Sequence, residues 1–141
     1  MTARRRSKAI YLDTGPLYAL ADKRDQHHPR ALSIFASLEK AGVPLSCPIS
    51  NLLELHTLTL RRKLKNAAAI AQVAFENYGP VYPQAADMQA ALEAVAKFND
   101  QRVTLADAVL AGMARRAGAQ VFTFDERHFA LLSAEVYQAS A

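Results

Sequence analysis

The chain has 141 residues, of which 51% are apolar, and a formal net charge of +4. A chain of this length buries about two-thirds of its unfolded surface, enough for a core without metal or disulfide staples, and no apolar run approaches the roughly 18 to 20 residues that span a bilayer. The lone cysteine, Cys47, excludes an internal disulfide framework and fits a reducing compartment. All of the net charge sits at the start: without Arg4, Arg5, Arg6 and Lys8, thirteen basic residues face thirteen acidic ones. A neutral body attracts polyanions weakly at long range, so any phosphate binding needs local patches. The basic start followed by apolar residues up to Ala19-Leu20-Ala21 has the outline of a secretory signal. Asp13 and Gly15-Pro16 interrupt the apolar core that such a signal requires, so the expected location is the cytoplasm. Residues 1–8 read as a basic, flexible tail and 9–141 as one domain.

Short strands alternate with helices along the chain. Ile10 to Leu12 reads as a strand, followed by a short helix from about Pro16 to Lys23, with proline suited to the first turn. A second helix is expected from Pro29 to Lys40, stopped by Gly42. Val43 to Cys47 reads as a second strand leading into a long helix over Ile49 to Lys65. Helices over Ala67 to Tyr78 and Ala85 to Phe98 flank Gly79-Pro80-Val81-Tyr82-Pro83, which holds too much proline for a central strand. A helix over Leu105 to Ala117, a strand over Gln120 to Phe124, a helical turn near Phe129 and a final strand at Glu135 to Tyr137 complete the series. Strands separated by helices imply an α/β fold: a central, mainly parallel sheet of four to five short strands, flanked by helices on both faces. Two basic clusters, Arg61-Arg62-Lys63 with Lys65 and Arg115-Arg116, read as solvated helix ends that complement the dipole.

Four acids stand at informative places. Asp13 closes the apolar run Ala9 to Leu12, Asp125 closes Val121 to Phe124, and Asp107 opens the helix at Leu105. In open α/β sheets ligands bind beyond the carboxyl ends of the strands, so these distant positions can meet in one crevice. Singly, each has a structural explanation. Asp13 and Asp125 can cap helices, and Asp107 fits a capping box with Thr104. Glu54 can be an exposed helix residue, lying off a face formed by Ile49, Leu52, Leu53, Leu60 and Leu64. Caps explain neither Glu54 nor the strand-end position of two acids. Gathered carboxylates repel and resist burial, which a divalent cation resolves. Oxygen-only ligands favour Mg²⁺ or Mn²⁺ over zinc or copper, and no His or Cys pair has convincing zinc spacing. Such an ion can lower the pKa of water and neutralise charge on a phosphoryl oxygen, the chemistry of phosphodiester hydrolysis.

The segments Asp13-Thr14-Gly15-Pro16-Leu17-Tyr18-Ala19-Leu20, Asn51-Leu52-Leu53-Glu54, Leu105-Ala106-Asp107-Ala108-Val109-Leu110-Ala111 and Thr123-Phe124-Asp125-Glu126-Arg127-His128-Phe129 resemble the motifs of PIN domains, in that order and over essentially the whole chain. In size, and in the stretch Asp25-Gln26-His27-His28-Pro29-Arg30-Ala31, the chain is similar to the VapC-type toxins of prokaryotic toxin-antitoxin systems. The resemblance implies a Mg²⁺- or Mn²⁺-dependent ribonuclease with a PIN-like fold, often a homodimer and often silenced by an antitoxin. It makes Asp13, Glu54, Asp107 and Asp125 the acidic metal-site set, with Thr14 and Thr123 as supports. Asp13, Asp107 and Asp125 would ligate the ion, and Glu54 would ligate it or orient the attacking water. The helices Pro29 to Lys40 and Ile49 to Lys65 are the expected antitoxin contacts. His27 and His28 stay outside the catalytic set, because neighbouring residues on a helix start point apart, and Tyr11, Tyr18 and Tyr82 read as packing residues. Other readings of the same residues are a PIN nuclease of RNA processing, an idle interaction module, a phosphatase of small phosphoesters and a nuclease acting on DNA. Metal binding and trials on RNA, single-stranded DNA and an aryl phosphate separate them.

Overall fold

Alternation of side chains along one three-residue strand organises this molecule. The structure, a computed structural model, describes residues 8–139. Strand β1 (Ile10–Leu12) is buried throughout. Ile10 and Leu12 face one apolar cluster with Phe35, Leu38, Leu55 and Phe122, while Tyr11 faces another with Leu110, Met113, Val121 and Phe129. The period of two in a strand forces this division, and each half of the core needs its own layer of helices.

The remaining elements are α1 (Thr14–Ala21), α2 (His28–Lys40), β2 (Leu45–Pro48), α3 (Ile49–Arg61), α4 (Ala67–Asn77), β3 (Gly79–Val81), α5 (Ala85–Lys97), a 3₁₀ turn at Asn99–Gln101, α6 (Leu105–Ala117), β4 (Gln120–Phe122) and α7 (Glu126–Leu131). The sheet order is β3-β2-β1-β4, and every pairing is parallel. Ile10 lies beside Leu45 on one side and Gln120 on the other. With all strands parallel, their carboxyl ends share one edge, where the strands ending at Leu12 and Phe122 release Asp13 and Thr123.

The expected fold class is what the structure shows, with differences at several boundaries. The proline-rich Gly79–Val81 is a strand, placed at the sheet edge where the missing N–H of Pro80 breaks no central ladder. Strand β4 ends at Phe122, not Phe124, because Thr123 turns its hydroxyl to Asp13. The final strand reduces to one parallel bridge, Val121 with Val136, held by Val121 N–H to the Glu135 carbonyl and Tyr137 N–H to the Val121 carbonyl, both 2.8 Å. The face expected for α3 is also corrected: Leu53 and Leu60 are exposed, and the buried positions are Asn51, Leu55 and Thr59.

The basic clusters are exposed helix ends, as expected, and three of their arginines also have partners within the chain. Arg116 forms a bidentate pair with buried Asp87, Arg115 donates to the Leu132 carbonyl, and Arg62 lies over the Tyr18 ring. Arg4, Arg5 and Arg6 lie outside the described residues, whereas Lys8 is within them and its Nζ sits 2.7 Å from Glu135 Oε2. Among the described residues no helix is long and apolar enough to cross a membrane.

Candidate active site

Asp13 follows β1 directly, and its N–H donates to the Phe122 carbonyl at 3.0 Å, so its backbone still belongs to the sheet while its side chain caps α1. Oδ1 accepts from Thr14 N at 2.8 Å and from Asn51 Nδ2 at 3.2 Å, and Oδ2 accepts from Thr123 Oγ1 at 2.8 Å. All three donors are neutral, and the carboxylate is only 8% exposed. Burial pushes the Asp13 carboxyl up to about 7, with the charge of Asp107 next in importance and that of Glu54 adding to it. The bonds from Thr123 and Thr14 pull the other way and do not win.

Asp107 sits in the first turn of α6, where its N–H donates to Thr104 Oγ1 at 3.1 Å. The reciprocal half of a capping box is not formed. Its carboxylate instead lies 3.6 Å from His128 Nδ1. Burial raises its pKa first and the charge of Glu54 second, while Thr104 and His128 draw it down and Asp125 adds to the rise. Asp125 stands before α7 without a side-chain cap bond, so the capping explanation does not hold for it. Its Oδ2 lies 2.9 Å from His128 Nδ1, outside the line of a ring N–H hydrogen bond. Glu54, half-buried on α3, makes itself felt through its field on both Asp13 and Asp107.

The four acids thus come from four separated segments and lie close enough for their charges to act on one another. Thr123 is buried and ties two of them: it donates to Asp13 Oδ2 and accepts the Asp125 N–H at 2.8 Å. Thr14, also buried, accepts from Asn51 Nδ2 at 3.0 Å. Two residues were not assigned a role from the sequence. Asn51 is fully buried and bonds both Asp13 and Thr14; its signal in the sequence was its place at the head of the segment Asn51-Leu52-Leu53-Glu54. His128 is three residues beyond Asp125 on α7, a spacing that puts the two on one face. Asp100 and Glu126 are exposed. His28 Nδ1 meets the Ala19 carbonyl at 2.6 Å, and His27 stacks on Phe124.

Could these residues hold a divalent cation? Among the described residues no three His, Cys, Asp or Glu side chains form a ready cage. Mg²⁺ takes one or two carboxylates and keeps several waters, so the donors need not close around it. The hard oxygen donors suit it, and the buried, mutually repelling acids give a cation something to stabilise.

A family model, the PIN domain, matches residues 10–134. The chain belongs to the PIN domain family. No curated protein matches this PIN domain in sequence. Among solved structures it resembles VapC20 of Mycobacterium tuberculosis, a sarcin-ricin loop cleaving toxin, with TM-score 0.79 and 23% identity over 93% of this chain and 100% of that one. It also resembles a chain of VapBC2 from Rickettsia felis bound to a promoter DNA fragment, with TM-score 0.71 and 14% identity over 92% and 97%. A chain of VapBC-1 from nontypeable Haemophilus influenzae gives TM-score 0.70 and 15% identity over 92% and 96%. At these identities the likeness speaks to the fold of this PIN domain.

Proposed function

We propose that this PIN domain is a metal-dependent endoribonuclease that hydrolyses RNA phosphodiester bonds, and that it is the toxin of a toxin-antitoxin pair. One observation carries the catalytic part: Asp13 is buried in the field of Asp107 and Glu54 with only neutral donors to support it, and its carboxyl is pushed up to about 7. A carboxylate perturbed by burial and by neighbouring like charges is a functional-site candidate. Asp13, Glu54, Asp107 and Asp125 would hold Mg²⁺ or Mn²⁺, and the bound ion supplies positive charge that acidifies water and offsets charge building on a phosphate.

The chain's own groups do the rest. Thr123, Thr14 and Asn51 fix the Asp13 carboxylate from both oxygens, so its direction is set before any ligand arrives. Asp13 must give up its proton for the site to act. Glu54, half-buried at the crevice, is placed to orient the attacking water or accept its proton, while the departing 3′ oxygen leaves in line. His128 Nδ1 lies 2.9 Å from the Asp125 carboxylate and 3.6 Å from that of Asp107, within reach of both acids.

The toxin assignment is supported by the VapC and VapBC proteins among the similar structures. For the antitoxin, α2 exposes Leu32 and α3 exposes Leu53 and Leu60. A groove of about 310 Å³, lined by Leu17, Leu55, Ile70 and Val73 among others, opens between α1, α3 and α4. An amphipathic segment would bury these positions. We assign the protein to the cytoplasm as a homodimer.

Cleavage of a mixed RNA pool with Mg²⁺ or Mn²⁺ against EDTA, beside Asp13→Asn, tests the reading. Metal-dependent cutting that disappears in the variant is the expected result. Cutting by the folded variant at the parental rate defeats the site assignment, and no cutting by wild type with any RNA moves the protein to an interaction role.

A further inference from the structure

The crevice presents four acids, and the body of the chain is close to neutral, so an RNA strand meets repulsion at the site that must cut it. Affinity has to come from cations on the rim. Several basic side chains are already committed: Lys8 pairs with Glu135, Arg62 approaches Asp25 at 4.0 Å, and Arg116 pairs with Asp87. Arg30 differs. Among the described residues it forms no ion pair, and its guanidinium lies 5.4 Å from the centre of the Phe124 ring.

Phe124 stands between Thr123 and Asp125 in the chain, so this cation is carried on a residue flanked by two members of the acidic site. His27 stacks on the same ring, 4.5 Å between centroids and 23° between planes, and Phe122 supports it edge-on at 5.4 Å. Arg30 belongs to the first turn of α2, and its exposure leaves its donors facing water. An arginine resting on an aromatic face keeps its planar fork for a phosphate and has less freedom to lose on binding it. Aromatic rings beside a cation also form the usual surface for an unpaired base.

We infer that Arg30, with the stacked rings of His27 and Phe124, is the contact for single-stranded RNA next to the scissile bond: Arg30 receives a backbone phosphate and the ring pair receives the adjoining base. This rests on the nuclease reading and names the part of the surface that grips the strand. The cluster takes no part in holding a cation, and its contribution appears in strand affinity.

Binding of a fluorescein-labelled single-stranded RNA is followed by anisotropy in the Asp13→Asn protein with Mg²⁺ present, between about 50 and about 200 mM salt. Arg30→Ala is expected to weaken binding about tenfold and to flatten the plot of log affinity against log salt by about 0.7, the share of one phosphate on a single strand. Arg30→Lys keeps that slope. His27→Ala loses about tenfold in affinity with a smaller change of slope than Arg30→Ala, as expected for loss of a stacking surface. Unchanged affinity and slope in Arg30→Ala, with the circular dichroism spectrum of the parent, overturns the inference while the nuclease reading stands. A parent that binds no RNA, together with wild type that cuts none, overturns both.

Discussion

Two buried aspartates of this protein lie at the starts of helices and meet opposite fates. Asp87, in the first turn of α5, is 4% exposed. It receives Arg116 through Nε at 3.0 Å and Nη2 at 2.8 Å, and the Gln84 N–H at 2.7 Å. The Arg116 bond holds its carboxyl below the usual range. Asp13, at the start of α1, is nearly as buried and accepts three bonds, yet its carboxyl is pushed up to about 7. The count of bonds does not separate them. The balance of burial and charge does: at Asp87 the Arg116 bond outweighs the cost of burial, whereas at Asp13 burial dominates and only like charges lie near it. Asp87 therefore fastens α5 to α6, whereas Asp13 is held in a state that a cation from outside would stabilise.

The sharpest way to break this contrast is Asp13→Asn. It is expected to remove cleavage, a loss of at least about a thousandfold for a group that both ligates and charges the site. Its stability should move the other way. Because the folded carboxyl titrates at about 7 against 3.8 for the free group, the folded state holds the extra proton between these values. Stability then falls as pH rises through that window, by roughly 4 kcal/mol in total. Thermal melts from about pH 4 to about pH 8 should show this decline in wild type and a flatter profile in the variant. Mg²⁺ should raise the wild-type Tm near pH 8 and leave the variant's almost unmoved.

Asp87→Ala sharpens the other side. Loss of a cap and of the Arg116 anchor should lower Tm by about 5 °C with cleavage per folded molecule unchanged; a large loss of activity there would erase the distinction. A smaller effect is expected from Thr123→Val, which removes the bond that lowers the Asp13 pKa. Cleavage should drop about tenfold, and the acidic limb of its pH profile should move to higher pH. The smallest belongs to Lys8→Ala: its pair with Glu135 is about half exposed, so Tm should stay within about 1 °C.

The strand-end acids were legible because apolar runs stop abruptly at Asp13 and before Asp125, and a parallel sheet gathers such ends. Asp107 was legible as a helix start, though its carboxylate serves the crevice instead of Thr104. Asn51 and Thr59 were not, because a polar residue on a helix reads as its wet face. Here the buried stripe of α3 is partly polar: Asn51 bonds Asp13, and Thr59 satisfies itself on the His56 carbonyl. Leu53 and Leu60, which a wheel assigns to the core, are left outside. Only tertiary contact decides which stripe turns inward. His128 escaped notice for a related reason. Its meaning depends on Asp107, twenty-one residues away in the chain and 3.6 Å away in space.

The outer strands of the sheet bear on how this protein survives at high concentration. A parallel sheet of four short strands has two open flanks, each a template on which another chain could add. On one flank, β3 carries Pro80, which offers no N–H to an incoming strand. On the other, the segment around Val136 already occupies the outer side of Val121 through two hydrogen bonds of 2.8 Å. Both flanks are thus blunted within a single chain, which should direct self-association toward helix faces and away from strand-to-strand stacking.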